Sequence, residues 1–175
     1  MRDLVDVPQD GVDLRRAFAG FPNGVVAVCA EIDGVFHGMA VSTFVPVSLK
    51  PPLVSFCVDD TSTTWPRLAT AGRLGLSLLT SAQHETARAF GSRAGDRFAG
   101  ADVHRGDDGA LFIDGASSWI EGSIETCVPA GDHAVILLRI HRLTMQAEAD
   151  PLVFHGSRFR SLRIDLDGLD GKPAA

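Results

Sequence analysis

The segment from residue 38 to residue 58, GMAVSTFVPVSLKPPLVSFCV, constrains the fold more than any other part of the chain. It consists of two apolar runs with two consecutive prolines, Pro51 and Pro52, between them. Proline fixes its own φ angle and favours extended geometry in the preceding residue, so the segment predicts two strands joined by a stiff turn. Residues 53–58 are apolar with little alternation, which predicts a strand that is covered on both faces.

Hydroxyl groups interrupt these apolar runs at Ser42, Thr43 and Ser55. Serine and threonine commonly pair across neighbouring strands, and this explanation needs no ligand. A polar ligand that meets the strands at this point explains the same residues equally well. From spacing alone, both interpretations stay open.

The rest of the chain predicts short strands, two or three helices and tight turns. Asp33-Gly34 between two apolar runs predicts a hairpin, and Gly156 predicts a last hairpin. No G-x-G-x-x-G motif and no strand–helix alternation occur, so the pattern excludes a Rossmann fold and favours a mainly β protein, a barrel with a few peripheral helices. We expect further strands over 25–32, 35–41, 74–79, 119–128 and 133–143, a helix capped by Asp13 that ends at Pro22, and helices over 65–71 and 81–90.

Two segments carry more specific expectations. Residues 101–117 are polar and rich in glycine and aspartate, which predicts the least ordered interior segment. Alternation over residues 119–128 predicts a half-exposed strand, with Ile120 on its covered face and Glu121 on its solvent face.

Composition bounds the class of protein. The 175 residues predict one domain over 13–164, with a polar lead-in over 1–12 and a flexible tail over 165–175. A net charge of −6 without a Lys/Arg cluster argues against nucleic-acid binding. No apolar run approaches the roughly 20 residues of a membrane helix. The acidic start does not have the pattern of a signal peptide, so we expect a cytoplasmic protein that does not enter a membrane.

Residues that could bind a metal are scattered along the chain. Cys29, Cys57 and Cys127 are isolated within apolar runs, which predicts reduced thiols in the core. The six histidines have no tight ligand spacing, so no metal site is expected. Asp132 and His133 are neighbours on a predicted strand and should point to opposite faces, which argues against a catalytic triad.

A polar loop over residues 59–64 precedes Trp65-Pro66, where a helix is predicted to start. Hydroxyls and free backbone N–H groups at such a start can bind a phosphate. An ordinary Ser/Thr cap accounts for the same residues. The sequence pattern by itself leaves both explanations open.

Five motifs in a fixed order resemble the flavin reductase-like family, the FMN-binding split barrels that serve as small reductase components of two-component flavin monooxygenases. The resemblance covers about residues 14–162 and implies a split β-barrel. The motifs are RAF to FPNGV at 16–25, the segment at 38–58, AFGSR to DRFAG at 89–100, GDH at 131–133, and PLVF to RF at 151–159.

The resemblance also implies a flavin site. Residues 40–43 would line the ring and ribityl chain, residues 55–58 would pass beneath them, and the segments around 62–64 and 92–93 would take the phosphate. The residues implied to bind flavin are Ala40, Val41, Ser42, Thr43, Ser55, Phe56, Cys57, Val58, Ser62, Thr63, Thr64, Phe90, Ser92 and Arg93. His133 is the implied catalytic residue, at the nicotinamide side; the alternative is a turn histidine bonded to backbone.

The function implied by the resemblance is an NAD(P)H-dependent flavin reductase. Hydride would pass from NADH or NADPH to N5 of FMN or FAD, and reduced flavin would reach a partner monooxygenase. The resemblance implies a homodimer with each flavin site at the seam. The chain has no G-x-S-x-G elbow and no tyrosine, which agrees with chemistry carried by a cofactor. The alternative is a flavin-binding carrier or electron-transfer module without turnover.

Overall fold

A computed structural model of the chain describes residues 6–7, 11–145 and 149–162. Twelve strands and three α-helices are present among these residues. The helices are α1 (Gly11–Phe18), α2 (Trp65–Leu68) and α3 (His84–Gly91). The strands are β1 (Asn23–Gly24), β2 (Val26–Ile32), β3 (Val35–Val41), β4 (Val45–Leu49), β5 (Pro52–Asp59), β6 (Leu74–Leu78), β7 (Val103–Arg105), β8 (Leu111–Ile113), β9 (Ser118–Ala130), β10 (His133–Met145), β11 (Leu152–His155) and β12 (Arg158–Ser161).

The main sheet of the described residues has seven antiparallel strands in the order β3-β2-β6-β9-β10-β5-β4. Strands β3 and β4 are consecutive in the chain and yet lie at opposite edges of this sheet. Residues 42–44 must therefore connect the two edges, which curves the sheet into a barrel that is open at this point. The fold class predicted from the sequence, a mainly β split barrel with few helices, is confirmed.

Apolar side chains form two clusters, one on each face of the sheet. One cluster contains Val28, Phe56, Leu76 and Ile136, which face the inside of the barrel. The other contains Cys29, Leu79, Phe90, Leu111 and Ile113, and is covered by α3 and β8. Strand β2 contributes to both clusters, which explains why its first five residues are all buried.

The sequence predicts the main hairpins correctly. Asp33 and Gly34 have φ angles of 53° and 75°, as a tight turn between β2 and β3 requires. The predicted last hairpin around Gly156 is formed by β11 and β12. The predicted strands over 25–32, 35–41, 74–79, 119–128 and 133–143 correspond to β2, β3, β6, β9 and β10, with ends that differ by one or two residues.

The segment at 38–58 differs from its prediction in two respects. It contains parts of three strands rather than two, because residues 42–44 leave the sheet between β3 and β4. Strand β5 alternates: Val54, Phe56 and Val58 are buried, whereas Ser55 and Cys57 on the opposite face are half-buried. The prediction of a strand covered on both faces is therefore wrong for the single chain. The Lys50-Pro51 bond in the turn between β4 and β5 is cis.

Residues 101–117 are ordered, contrary to the prediction. They form the β7–β8 hairpin, and Leu111 and Ile113 are fully buried in the second cluster. A Cβ atom at Gly75 would lie 2.0 Å from the carbonyl oxygen of Leu111, so glycine permits the close approach of β8 to β6. Three-residue strands between glycines and aspartates are too short to show a hydrophobic period.

Glu121 is 5% exposed, so its predicted solvent position is wrong. Its two carboxylate oxygens accept hydrogen bonds from Nε and Nη2 of Arg142 on the neighbouring strand β10, at 3.1 and 2.5 Å. The backbone N–H of Asp107 also donates to it. The hydrogen bonds from Arg142 are the main cause that holds the pKa of Glu121 below its usual value, which offsets the cost of burial.

Smaller predictions also fail at the helices and cysteines. Asp13 lies inside α1, and α1 buries none of its residues in the single chain. Helix α2 ends at Leu68 instead of residue 71, and the third helical segment opens with a 3-10 turn before α3. Only Cys29 is a core thiol, and burial raises its pKa, whereas Cys57 is half-buried and Cys127 is exposed.

The predicted tail over 165–175 and most of the lead-in over 1–12 lie outside the described residues. Within the described ranges, every helix is too short or too polar to span a bilayer.

Leu111→Ala should lower the free energy of unfolding by about 2–5 kcal/mol, because a fully buried leucine is removed from the second cluster. Leu143→Ala is the matched control: Leu143 is 61% exposed, so its change should stay below about 0.5 kcal/mol. Chemical denaturation measures both. Equally small effects would show that the β7–β8 hairpin is not part of the core.

Candidate functional site

A cleft of about 320 Å³ opens where β3 ends and the chain crosses towards β4. Three further parts of the chain complete its walls: the end of β5 with the loop after it, the end of α3 with the loop after it, and the start of β10. Twelve of the fifteen predicted site residues line it: Ala40, Val41, Ser42, Thr43, Cys57, Val58, Ser62, Thr63, Thr64, Phe90, Arg93 and His133.

Thr43 connects the crossing segment to β5. Its hydroxyl oxygen accepts a hydrogen bond from the backbone N–H of Cys57 at 2.8 Å, and its hydroxyl lies 3.4 Å from the carbonyl oxygen of Cys57. The side chain thus takes the place of a backbone partner beside β5, just before β4 begins. Thr43 therefore bonds to the backbone of a neighbouring strand and also lines the cleft.

The loop after β5 is held by its own polar side chains. Asp59 accepts hydrogen bonds from the hydroxyl and the backbone N–H of Thr61, at 2.6 and 2.7 Å. These two bonds keep the pKa of Asp59 below its usual value, and the bond from the Thr61 hydroxyl is the largest cause. The charges of His133 and Arg93 lower the pKa of Asp59 further. Ser62 accepts a hydrogen bond from the backbone N–H of Trp65, the first residue of α2, at 3.2 Å, whereas the N-cap residue Thr64 makes no side-chain capping bond.

The two arginines of the loop after α3 differ in exposure and in hydrogen bonding. Arg97 is half-buried and donates to the carbonyl oxygens of Gly38 (2.8 Å) and Ser92 (2.9 Å), and to the hydroxyl of Thr64. Arg93 is exposed, and within the described ranges its guanidinium has neither a hydrogen bond nor an ion pair. Arg97 therefore builds the wall of the cleft, whereas the charge of Arg93 is available to a ligand.

His133 lines the cleft from the start of β10, in register with Asp59 on β5. Its Nδ1 is 2.7 Å from Oδ1 of Asp132, and this hydrogen bond is the main cause that lowers the pKa of Asp132. The prediction that the two side chains point apart is wrong, because Asp132 lies in the two-residue turn before β10 and not on the strand. The contact leaves Nε2 of His133 for other partners.

Three predicted site residues lie outside the cleft lining. Phe56 is fully buried and packs edge-to-face on Trp65, with ring centroids 5.6 Å apart. Ser55 points to the other face of β5, away from that core. The hydroxyl of Ser92 donates to the carbonyl oxygen of Ala94 at 2.9 Å, which closes the loop on itself.

Other lining residues were not predicted as site residues: Met39, Asp59, Thr61, Gly91 and Arg97. The pattern D-x-T at 59–61, typical of a side-chain-stabilised turn, is the signal that was available for two of them. Nothing in the sequence distinguishes Arg97 from Arg93, because their difference depends on Gly38 and Thr64, 59 and 33 positions away. Among the described residues, no cluster of His, Cys, Asp and Glu could hold a metal ion.

The cleft suits a small ligand that has both an apolar part and an anionic group. Its volume is within the range of small-molecule sites, roughly 300–1,000 Å³. Val41, Val58 and Phe90 contribute apolar side chains to the lining. Hydroxyl groups and Arg93, whose guanidinium is unpaired in the described part of the chain, contribute polar groups and a positive charge. A flavin mononucleotide, with an apolar ring, a hydroxylated chain and a phosphate, matches these kinds of group.

The model of the flavin reductase like domain matches residues 18–163. The chain belongs to the flavin reductase-like family. It is 35% identical to a flavin reductase of Pseudomonas putida over 81% of this chain and 84% of the relative. It is 33% identical to the reductase subunit HsaB of a flavin-dependent monooxygenase of Rhodococcus jostii, over 91% and 83% of the two chains.

Solved structures of the family agree with the fold. The NADH:FAD oxidoreductase of Streptomyces globisporus C-1027, solved in complex with NAD and FAD fragments, superposes with a TM-score of 0.86 at 34% identity. The superposition covers 95% of this chain and 99% of that one. Family membership and the split-barrel fold, both predicted from the sequence motifs, are therefore confirmed.

Proposed function

We propose that this flavin reductase-like protein binds FMN or FAD in the cleft and reduces it with NADH or NADPH. The predicted enzyme class, an NAD(P)H:flavin oxidoreductase, agrees with the names of its relatives, which are a flavin reductase and an NADH:FAD oxidoreductase. The observation that carries the proposal for this chain is the composition of the cleft, whose lining combines apolar side chains, His133 and Arg93, a cation that has no partner in the described part of the chain.

The apolar part of the lining is proposed to hold the isoalloxazine ring. Ala40 and Val41 end β3, Ser42 begins the crossing, and the Thr43–Cys57 hydrogen bond keeps this backbone beside β5. Phe56 supports the floor from inside the core rather than by contact. A rigid backbone at this position orients a planar ring without moving on binding, which reduces the entropy cost of association.

The phosphate is proposed to lie between the loop after β5 and Arg93. The oxygens of Ser62 and Thr64 accept bonds from Trp65 and Arg97, so the hydroxyl protons of these residues remain free to donate. Thr63 lines the same wall. Neutral donors cannot neutralise a phosphate dianion, so the cationic partner is Arg93.

The bound flavin supplies the redox chemistry, because its N5 accepts hydride from the nicotinamide. The chain must admit the nicotinamide to the ring and hold it there. His133 is proposed to do this: Asp132 holds Nδ1, so that Nε2 can hydrogen-bond to the carboxamide. The side chain of His133 is 42% exposed, which leaves it accessible at the mouth of the cleft.

The product is proposed to serve a separate oxygenase. The relative from Rhodococcus jostii is a reductase subunit of a flavin-dependent monooxygenase, and a solved relative is the flavin reductase component of a two-component tryptophan halogenase. An open cleft on a small domain allows reduced flavin to leave by diffusion to such a partner.

A homodimer is proposed because the single chain leaves apolar surface exposed on an edge strand. Val45, Val47 and Leu49 of β4 are 53%, 51% and 91% exposed, and α1 exposes Phe18. Unprotected apolar edges of this kind are usually covered by another chain. Strand β4 follows directly on the crossing segment, so a second copy seated there would lie next to the flavin cleft.

Arg93→Ala should weaken FMN binding by about 1.5–3 kcal/mol and leave riboflavin binding unchanged, because riboflavin lacks the phosphate. Arg97→Ala should weaken both ligands, since it removes the bonds that hold the wall of the cleft. Arg158→Ala, a change of an exposed arginine on β12, is the matched control. Fluorescence titration gives the affinities, and equal losses for FMN and riboflavin in Arg93→Ala would refute the phosphate contact.

His133→Ala should leave FMN affinity nearly unchanged and slow flavin reduction by NADH roughly tenfold or more, the effect of one lost hydrogen bond of about 1.4 kcal/mol. His155→Ala, on β11, is the control histidine. Stopped-flow absorbance measures reduction, with a melting curve for each variant. If His133→Ala lowers the melting temperature and leaves the rate of flavin reduction unchanged, the role of His133 is structural. If neither NADH nor NADPH reduces the flavin bound to the wild type, the protein is a carrier.

Sedimentation velocity at micromolar concentration should give the mass of a dimer. Leu49→Asp should shift the protein towards the monomer, because a charge on the edge strand would be buried in the interface. Leu143→Asp changes another exposed leucine and should not alter the mass. A monomeric wild type with full flavin affinity would contradict the proposed assembly.

A further inference from the structure

A second pocket, of about 260 Å³, lies where the β7–β8 hairpin meets the start of β9 and the end of β10. Among the described residues, none lines both this pocket and the flavin cleft. His133 of the cleft and Arg142 of the pocket are nine residues apart on β10, which is about 30 Å of extended chain. A small ligand in this pocket therefore does not contact a flavin in the cleft.

Three aromatic side chains of the lining have nearly parallel rings. Trp119 stacks on His104 with ring centroids 5.2 Å apart and planes inclined by 19°, and on Phe112 at 5.3 Å and 23°. The other four ring pairs in the described part of the chain are edge-to-face, with angles between 61° and 85°. Nε1 of Trp119 donates to the carbonyl oxygen of Ile113 at 2.8 Å, so the indole offers a ligand only its ring surface. Parallel rings favour a planar aromatic ligand, which can stack in the same orientation.

The charged side chains of the lining are paired. Arg142 donates to the buried Glu121 through Nε and Nη2, and Nη2 also lies 2.8 Å from Oδ2 of Asp107. Arg105 donates to Glu31 at 2.7 Å. Both arginines of the lining therefore have a carboxylate partner, and both carboxylates of the lining have a guanidinium partner. A lining with balanced charges offers little net attraction to an ion, so it favours an uncharged ligand.

The ion pair between Arg142 and Asp107 leaves one donor and one acceptor for a ligand. Within the described residues, Nη1 of Arg142 and Oδ1 of Asp107 have no hydrogen bond. The two side chains are 57% and 73% exposed, so a ligand can reach them. A hydroxyl group can accept a hydrogen bond from Nη1 and donate one to Oδ1 at the same time. A hydroxylated aromatic ring therefore matches both the rings and the free polar atoms of the lining.

We propose that this pocket binds an uncharged phenol, with its ring stacked on the His104–Trp119 pair and its hydroxyl between Arg142 and Asp107. The assignment is independent of flavin reduction in the cleft. Glu121 holds Arg142 in place, because its carboxylate accepts from Nε and Nη2 and leaves Nη1 for the ligand. Arg142→Ala would leave Glu121 buried without its partner and would destabilise the fold, so Asp107 and His104 are the positions to change.

The fluorescence of Trp119 reports phenol binding. The chain has two tryptophans, Trp65 and Trp119, so Trp65→Phe leaves Trp119 as the single one. In this background, phenol should change the fluorescence along a saturating curve. Anisole, in which a methyl ether replaces the hydroxyl, should bind about tenfold more weakly, because it cannot donate to Asp107.

Two variants in the same background separate the hydroxyl contact from the ring contact. Asp107→Ala should lower phenol affinity about tenfold and anisole affinity less than about twofold. His104→Ala should lower both affinities about fivefold, because it removes ring surface. The controls are Asp114→Ala, an exposed aspartate after β8, and His155→Ala; neither residue lines the pocket, and neither change should alter the affinities. Asp107 and His104 are exposed, so both variants should keep the melting temperature of the background.

Three results would overturn the assignment. The first is a fluorescence change that stays linear in phenol concentration, which indicates collision without binding. The second is equal affinity for phenol and anisole, or equal losses for both in Asp107→Ala. The third is an FMN affinity, measured by flavin fluorescence, that falls when phenol is saturating, because the phenol would then lie in the flavin cleft. A protein that binds phenol as described and binds no flavin would contradict the proposed function and leave the pocket assignment standing.

Discussion

The connection between the two edges of the main sheet is the constraint on which the site depends. Strands β3 and β4 follow each other in the chain and yet lie at opposite edges, so residues 42–44 must cross the opening of the barrel. Thr43 makes the crossing stable by giving the N–H of Cys57 a side-chain partner in place of a backbone one. The cleft lies at the opening between the two edges. Without the contact from Thr43, the backbone N–H of Cys57 would lose its hydrogen-bond partner.

Around this opening, the polar groups divide into those used by the protein itself and those left for a ligand. Arg97 and the oxygens of Ser62 and Thr43 are engaged with the chain, which fixes the walls. Within the described residues, Arg93 and Nε2 of His133 are not engaged in this way, and both residues line the same cleft. When the walls of a site are already held by hydrogen bonds within the protein, a few side chains without such bonds can contact a phosphate and a second molecule. Binding of either ligand then requires no rearrangement of the protein.

The sequence predicts secondary structure correctly where the residues of a single turn or strand determine it. Asp33-Gly34 predicts its hairpin because both residues tolerate positive φ angles, and the apolar runs predict β2, β3, β6 and β10 because their residues pack on the barrel. Predictions of burial fail where the contacts of a residue come from parts of the chain that are distant in sequence. Glu121 is buried because Arg142 and Asp107 satisfy its carboxylate, and Leu111 is in the core because Gly75 lets β8 approach.

The sequence alone determined the family, the mainly β class and most of the residues that line the cleft, since these follow from motifs whose order and spacing are visible in one dimension. The tertiary structure decided what each of those residues does. It separated Arg93 from Arg97, buried Phe56 in the core outside the cleft lining, and brought Asp132 into contact with His133. The physical reason is that buried polar groups of the protein must have hydrogen-bond partners, and a side chain that serves as such a partner is not available to a ligand. The groups that need partners are far away in sequence, so only the tertiary structure shows which side chains are available.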